Sequence, residues 1–236
     1  MTASKRRLPV LLLLALFTAA LSAQRTELTV IGGVFQTPYR FADRTQYPHT
    51  SFSFPWSGDY RKDNVLLGAD LSRALSTHWQ VATGLRLFLS GYAQVKDFHW
   101  PSEVTPDGTY SADLPIDRLA INHLFLEVPL LARYLFSAGK CTPYIETGIS
   151  TNYYLTTGVK ERLEGGTKKF RERNDAVRPV HFTGHLDAGL QYRYSDRQAL
   201  FVQAALRYQL NTIEEGSENP GIGYGLNFGW RLRLKA

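Results

Sequence analysis

The sequence predicts an all-β fold: an eight-stranded antiparallel up-and-down transmembrane β-barrel with short periplasmic turns and long extracellular loops. Three observations carry that expectation. From residue 25 onward, successive segments alternate at period two, with one broad apolar face and a second face of Gly, Asn, Gln and charged residues. The connections between them run long, short, long, short, long, short, long, which is the pattern of a membrane barrel and has no counterpart in a soluble meander. After the first two dozen residues no apolar run approaches the roughly 18 residues of a membrane-spanning helix, and the mean hydropathy is only -0.23.

Composition narrows the class further. The 236 residues are 44% hydrophobic, 20% charged and 13% aromatic, with one cysteine, which excludes a disordered chain, a disulfide scaffold and a collagen-like repeat. The N-terminus reads as a secretory signal peptide over 1–23: Lys5, Arg6 and Arg7 precede an apolar stretch from Val10 to Phe17, and small residues at Ala19, Ala20, Ser22 and Ala23 offer a cleavage site before Gln24. Its removal takes away three basic and no acidic residues, so the formal charge falls from +6 to +3. Most of the basic excess goes with it, and nucleic acid is not expected as a partner. The barrel domain is assigned to 24–236. Cys141 has no second cysteine to pair with.

The strands follow in order. The first is a less regular candidate at 25–36. In the second, Val65, Leu67, Ala69, Leu71 and Leu75 alternate with Leu66, Gly68, Asp70, Ser72 and Ala74. In the third, Trp79, Val81, Thr83, Leu85, Leu87 and Leu89 alternate with Gln80, Ala82, Gly84, Arg86 and Phe88. The fourth and fifth are placed at 119–136 and 141–157. The sixth runs from Val180 to Tyr194, with His181, Thr183, His185, Asp187 and Gln191 on its polar face. The seventh sets Leu200, Val202, Ala204, Leu206, Tyr208 and Leu210 against Phe201, Gln203, Ala205, Arg207 and Gln209. The eighth, from Ile222 to Leu234, is the clearest: large apolar residues at every even position, Gly, Asn and Arg at every odd one. Bulk on one face and glycine on the other inverts the pattern of a soluble sandwich, so the large side chains face lipid. Each segment reaches the roughly 9–11 residues that a tilted strand needs to cross a bilayer. Tight turns are expected at Ser76–His78, Ser137–Lys140 and Ser195–Gln198, and long loops at 37–63, 94–118, 158–178 and 214–220.

That orientation turns Asp70, Arg86, Glu127, Arg133, Glu146, Asp187, Arg207 and Arg231 into the lumen, four acids and four bases. An eight-stranded barrel is just wide enough for side chains to fill, so these residues are expected to pair into a polar plug instead of lining a channel. Trp79, Tyr134, Tyr153, Tyr154, Tyr192, Tyr194, Tyr208 and Trp230 stand near strand ends and are expected in interfacial girdles. His181, His185 and Asp187 share the inward face and are the one grouping that suggests a base with an orienting carboxylate, or a metal site. His49 and Ser51 have the spacing of a lipid A deacylase pair but lie in a Pro-flanked loop. His78, His99 and His123 are read as packing or turn residues. No phosphate-binding glycine motif is present, and no catalytic residue, cofactor or metal is assigned.

Two loops carry the remaining information. Residues 160–178 hold the densest charge run: Lys160, Glu161, Arg162, Glu164, Lys168, Lys169, Arg171, Glu172, Arg173, Asp175 and Arg178. The run reads first as a solvated loop, and on the outer face of an outer membrane also as a surface for lipopolysaccharide phosphates or a protein partner. Residues 43–60, with Tyr47, Phe52, Phe54, Trp56 and Tyr60, read as a lid over the barrel mouth.

The segment from Phe125 to Phe136, with Leu126-Glu127-Val128-Pro129-Leu130-Leu131 at its centre and Arg133-Tyr134 after it, resembles a strand of the "porin family" outer-membrane β-barrel proteins of Bacteroidota. Pro143-Tyr144 with Gly148 resembles the opening of the next strand in that family, which includes the PorT-type component of the type IX secretion system. The closing residues Leu234, Lys235 and Ala236 differ from the terminal aromatic common in outer-membrane barrels. The resemblance implies a barrel in the cell outer membrane, surrounded by lipid and lipopolysaccharide, with envelope or secretion-system proteins as partners. The expected function is that of a structural or interaction component. A small pore, a lipid-modifying enzyme using His181, His185 and Asp187, and a soluble lipocalin-type barrel are the competing readings.

Overall fold

The computed structural model describes residues 26–36, 63–100, 114–163, 166–213 and 222–234. The signal peptide, the aromatic loop before residue 63, His49 and Ser51, and the loop at 214–220 lie outside the described residues. The strands are β1 (Thr26–Gln36), β2 (Asp63–Ala74), β3 (Trp79–Trp100), β4 (Leu114–Leu135), β5 (Cys141–Leu163), β6 (Gly166–Glu172), β7 (Val180–Arg193), β8 (Gln198–Gln209) and β9 (Ile222–Arg233). Eight of them close a ring in which each pairs antiparallel with its neighbours, β1 joining β9 and β4 joining β5; β6 hangs on β5 outside the ring.

The registers define the barrel's geometry. A walk round the ring passes Thr26, Arg73, Val81, Ala132, Thr147, Leu186, Leu206 and Tyr224 and returns to β1 at Gln36, 36 − 26 = 10 residues from where it began. A stagger of ten over eight strands, with ordinary strand spacing and rise, tilts the strands by about 42°. At that tilt a residue advances about 2.5 Å along the barrel axis, so a strand of 12 residues spans the roughly 30 Å of hydrocarbon. β1, β2, β7, β8 and β9 have 11, 12, 14, 12 and 12 residues and match that span.

The two faces are unlike, as the alternation requires. Outward residues are large, apolar and half exposed: Leu67 is 64% exposed, Leu186 56% and Leu226 52%. Inward neighbours such as Asp70, Asn227 and Arg231 are 2% exposed. An apolar exterior of this extent around a polar core is stable only in lipid, where a closed sheet also satisfies every ladder hydrogen bond. Serine caps two of the three short turns: Ser76 Oγ accepts from the amides of His78 and Trp79 at 3.3 and 3.1 Å, and Ser195 Oγ from those of Arg197 and Gln198 at 3.3 and 3.0 Å. In the turn between them the Thr142 hydroxyl donates to Gly139 O at 3.0 Å.

Three expectations are corrected. Strand reaches into both ends of the segment 94–118: β3 and β4 each have 22 residues, and their pairing continues to Trp100 opposite Leu114 after a bulge between Val95 and Phe98. The charged run does not form an open loop either. β5 has 23 residues and turns back at once into β6, because the ladder from Thr157–Glu172 to Leu163–Gly166 pairs without interruption. β3, β4, β5 and β6 therefore form a flange that rises past the other strands on the side opposite the short turns.

The third correction concerns Tyr154. A bulge where Leu124 faces Thr156 and Phe125 faces Tyr154 reverses the alternation of β5. Tyr154 precedes that reversal and keeps the inward parity of Glu146 and Asn152, which sets it beside Phe125, with ring centroids 5.9 Å apart, and its hydroxyl lies 2.6 Å from Thr157 Oγ1. It belongs to the interior end of the barrel and not to a girdle. The other aromatics do line the ends. On the side of the short turns Trp79 meets Tyr134 at 5.0 Å, Tyr134 meets Phe136 at 5.2 Å, and Trp230 Nε1 donates to the Tyr194 hydroxyl at 3.0 Å. Tyr153, Tyr208 and Tyr224 stand exposed towards the far end.

Candidate functional site

The lumen is built from alternate residues of eight strands, and all eight charged residues assigned to it are buried. Arg86, on β3, holds Asp70 of β2 through two bonds, Nε to Oδ1 at 2.9 Å and Nη2 to Oδ2 at 2.7 Å. Its Nη1 lies 3.3 Å from Glu127 Oε1 on β4, and Arg207 of β8 reaches across the lumen to the other oxygen of Glu127. The Arg207 guanidinium lies over the rings of Phe35, at 5.1 Å, and Phe88, at 4.2 Å. One carboxylate thus joins two guanidiniums that come from opposite sides of the barrel.

The second cluster uses the next strand pair. Arg133 of β4 donates to Glu146 of β5 through Nε at 2.8 Å and to Gln80 Oε1 through Nη1 at 3.1 Å. Glu146 is the register partner of Asp187 on β7, a like-charge pair that would repel if both carboxylates faced each other. They turn apart: Glu146 takes Arg133, and Asp187 Oδ2 accepts from Gln203 Nε2 at 2.8 Å.

Here the structure departs from simple acid–base pairing. Among the described residues Arg231 meets no carboxylate. It donates to Gln191 Oε1, and its guanidinium lies 4.7 Å from the ring centroid of Tyr144 and 4.3 Å from that of Phe201. The Tyr144 hydroxyl donates to Gln203 Oε1 at 2.7 Å, so one amide and one phenol stand between Asp187 and Arg231. Arg231 Nε and Nη2 have no hydrogen-bond partner among the described residues.

Glycine makes room for these side chains. A Cβ on Gly68 would lie 2.5 Å from Arg86 Cγ and 2.7 Å from its Cα. The register sets Gly68 directly opposite Arg86, and Gly84 directly opposite Asp70, so each large charged side chain lies across a residue without one. No side chain larger than hydrogen fits at Gly68 without moving the Arg86–Asp70 pair.

His181, His185 and Asp187 all lie inside the barrel, but each has a different partner. His181 packs its ring edge-on to Phe125 at 4.5 Å. His185 Nε2 lies 2.9 Å from Ser150 Oγ, and Asp187 is engaged by Gln203. Among the described residues no group of three His, Cys, Asp or Glu could hold a metal ion. The Ser150–His185 contact is a hydroxyl–imidazole pair of the kind nucleophilic hydrolases use. Sequence reasoning missed it because the two residues are 35 apart and come together only through the β5–β7 register. Ser150 is 1% exposed, and Asn152 Nδ2 lies 3.4 Å from its hydroxyl and 3.0 Å from Thr183 Oγ1, which ties the pair into the interior network. His123 is buried against Thr157 Oγ1 at 2.9 Å, and His78 holds the turn through Leu135 O at 2.8 Å.

Removing a cation has opposite consequences at two sites. Arg86→Met leaves Asp70 and one oxygen of Glu127 buried without a counter-ion, and a loss of about 3–5 kcal/mol in unfolding free energy is expected. Arg231→Met removes a guanidinium that has no carboxylate partner and replaces it with a side chain that packs on Tyr144 and Phe201. The expected change is within about 1 kcal/mol, or a gain. Urea unfolding of both variants in the same detergent, followed by tryptophan fluorescence, checks the contrast; equal losses would contradict it.

Outside the membrane-spanning part, the β5–β6 hairpin is the most strongly charged described surface. Its register sets Lys160 opposite Lys169, Gly158 opposite Arg171 and Val159 opposite Phe170. Lys160, Lys168, Lys169 and Arg171 are exposed. The topology, the outward apolar face and the filled polar interior together decide the class. The fold is that of an outer-membrane β-barrel.

No family model and no curated protein matches the chain. Solved barrels do resemble it. The crystal structure of Neisserial surface protein A aligns over 90% of this chain and 98% of its own, with 10% identity and a TM-score of 0.47. The N-terminal β-barrel domain of Pseudomonas aeruginosa OprF covers 89% and 98%, at 10% identity and a TM-score of 0.40. The outer-membrane protease OmpT of Escherichia coli covers 89% and 95%, at 8% identity and 0.42. The barrel of the present chain is established by its own registers and its two unlike faces.

Proposed function

We propose that the protein is a structural and interaction component of the outer membrane, in which the barrel is a rigid mount and the extracellular flange is the working surface. The observation that carries this reading is the contrast between the two ends of the fold. The lumen is filled by Arg86, Glu127, Arg207, Arg133, Glu146 and Tyr144. Yet three strands run to 22 or 23 residues, far beyond what a bilayer requires, and end in the added strand β6. Surface strands that extend past the membrane and present a charged hairpin suit contact with another molecule outside the cell. A finer proposal follows from the resemblance of 125–136 to the barrel family that includes PorT-type proteins: the partner is a component of a secretion or envelope assembly. The protein is read as non-enzymatic, since the hydroxyl–imidazole pairs among the described residues, Ser150–His185 and Thr157–His123, are engaged in the buried interior.

The test is capture of the tagged, full-length protein after gentle detergent extraction of its native outer membrane, with co-purifying proteins counted by mass spectrometry. Stoichiometric envelope or secretion components are expected. They are expected to be lost when residues 160–171 are replaced by a short Gly-Ser turn that leaves the barrel intact. Capture of the barrel alone would contradict the partner reading.

A further inference from the structure

We propose that the outward side of the β5–β6 hairpin binds phosphate groups of lipopolysaccharide in the outer leaflet, an inference that rests on the outer-membrane reading above. The side is fixed by the alternation of β5 beyond its bulge. Thr157 is buried and bonded to His123, which places it on the lumen side. Gly158 and Lys160 therefore lie on the side continuous with the lipid-facing surface of the barrel. Across the ladder, Lys160 is opposite Lys169 and Gly158 is opposite Arg171, so three cations share this side of two strands. The glycine leaves the Arg171 guanidinium unobstructed from the neighbouring strand.

Two lysines in direct cross-strand register repel each other and destabilise a hairpin unless an anion lies between them. In the ladder Glu161 is the register partner of Lys168, and Glu172 that of Thr157, so neither acid stands opposite Lys160, Lys169 or Arg171. Height above the membrane identifies the anion. Among the residues of β5 whose side chains are described, the last exposed apolar ones are Tyr153 and Leu155, and at about 2.5 Å of axial rise per residue Lys160 stands about 12 Å beyond Leu155. The headgroup layer of an ordinary phospholipid bilayer is only about 5–8 Å deep on each side. A phosphorylated saccharide rooted in the same leaflet extends past that layer, and lysine and arginine stems can reach back towards it.

The test uses the full-length protein purified in detergent and freed of native lipid. It is titrated with intact lipopolysaccharide, with the same material after enzymatic dephosphorylation, and with inorganic phosphate. Intact lipopolysaccharide is expected to bind in a salt-sensitive manner, and K160Q/K169Q/R171Q to weaken it about tenfold or more. Lys168→Gln, whose register partner is Glu161, is expected to change it less than about twofold. The proposal is overturned if the triple variant binds as the parent does, if dephosphorylated material binds equally well, or if only an acidic protein partner is lost from the variant. All these residues are exposed, and the heat-dependent gel mobility of a folded barrel reports on each variant independently. A variant that remains in the outer-membrane fraction but binds unchanged defeats this proposal alone; a parent protein absent from that fraction defeats the outer-membrane reading.

Discussion

Replacing Glu127 by alanine is expected to lower the unfolding free energy of the barrel by about 3–5 kcal/mol. Glu127 lies between Arg86 and Arg207 on strands that are not neighbours, and its removal leaves Arg207 with no carboxylate and Arg86 with one instead of two. Both guanidiniums are essentially sealed from solvent, so neither charge can be rehydrated without opening the barrel. Adding Arg207→Met to the alanine variant is expected to recover part of the loss, because Phe35 and Phe88 then pack against an apolar chain in place of an unpaired cation. Urea titration of both variants in micelles, read by gel mobility and tryptophan fluorescence, measures the two steps. A single-variant loss below about 1 kcal/mol would mean that the network is wet and weakly coupled.

The second large effect is expected on the opposite face. Leu226 lies near the middle of β9, is half exposed, and sits between Tyr224 towards one end and Trp230 at the other. Leu226→Arg is expected to cost about 2–4 kcal/mol, the price of a cation near the bilayer midplane. In a water-soluble barrel of lipocalin type the same exposed substitution would fall within about 0.5 kcal/mol of neutral. Equilibrium unfolding of the variant in lipid vesicles separates the two: a loss in that range requires hydrocarbon around β9, and a neutral result removes it.

What was legible in the sequence was whatever depends on period two alone. The even positions from Ile222 to Leu234 and the odd positions Trp79 to Leu89 face outward because alternation within one strand needs no knowledge of its neighbour. The inward direction of Asp70, Arg86, Glu127, Arg133, Glu146, Asp187, Arg207 and Arg231 follows from the same periodicity. Their partners do not. Arg207 and Glu127 are 80 residues apart, and Arg86 finds Asp70 at 16 and Glu127 at 41, distances set by register and stagger that a single chain does not display. Asp187 and Arg231 turn instead to Gln203 and Gln191, residues that look like filler in the sequence.

Two local features hid the rest. Tyr154 shares the inward parity of Glu146 and Asn152, so period two places it in the core beside the outward Tyr153, whereas the bulge at Leu155, which nothing in the sequence marks, reverses the parity beyond it and turns Thr157 inward. The strand β6 carries Lys168, Lys169 and Arg171 within seven residues, and such charge density reads as solvated loop. Its strand character comes from pairing with a β5 that has already left the membrane, where both faces of the sheet are wet and polar residues cost little.

A lumen closed by its own side chains conducts no ions, and planar-bilayer recording of the purified, folded full-length protein reads this out. A silent membrane is expected, without reproducible steps at moderate voltage. Openings are expected first when the plug is broken, as in Glu127→Ala. Steady, ohmic openings of the unaltered protein would contradict a closed lumen and turn attention from the flange to the lumen.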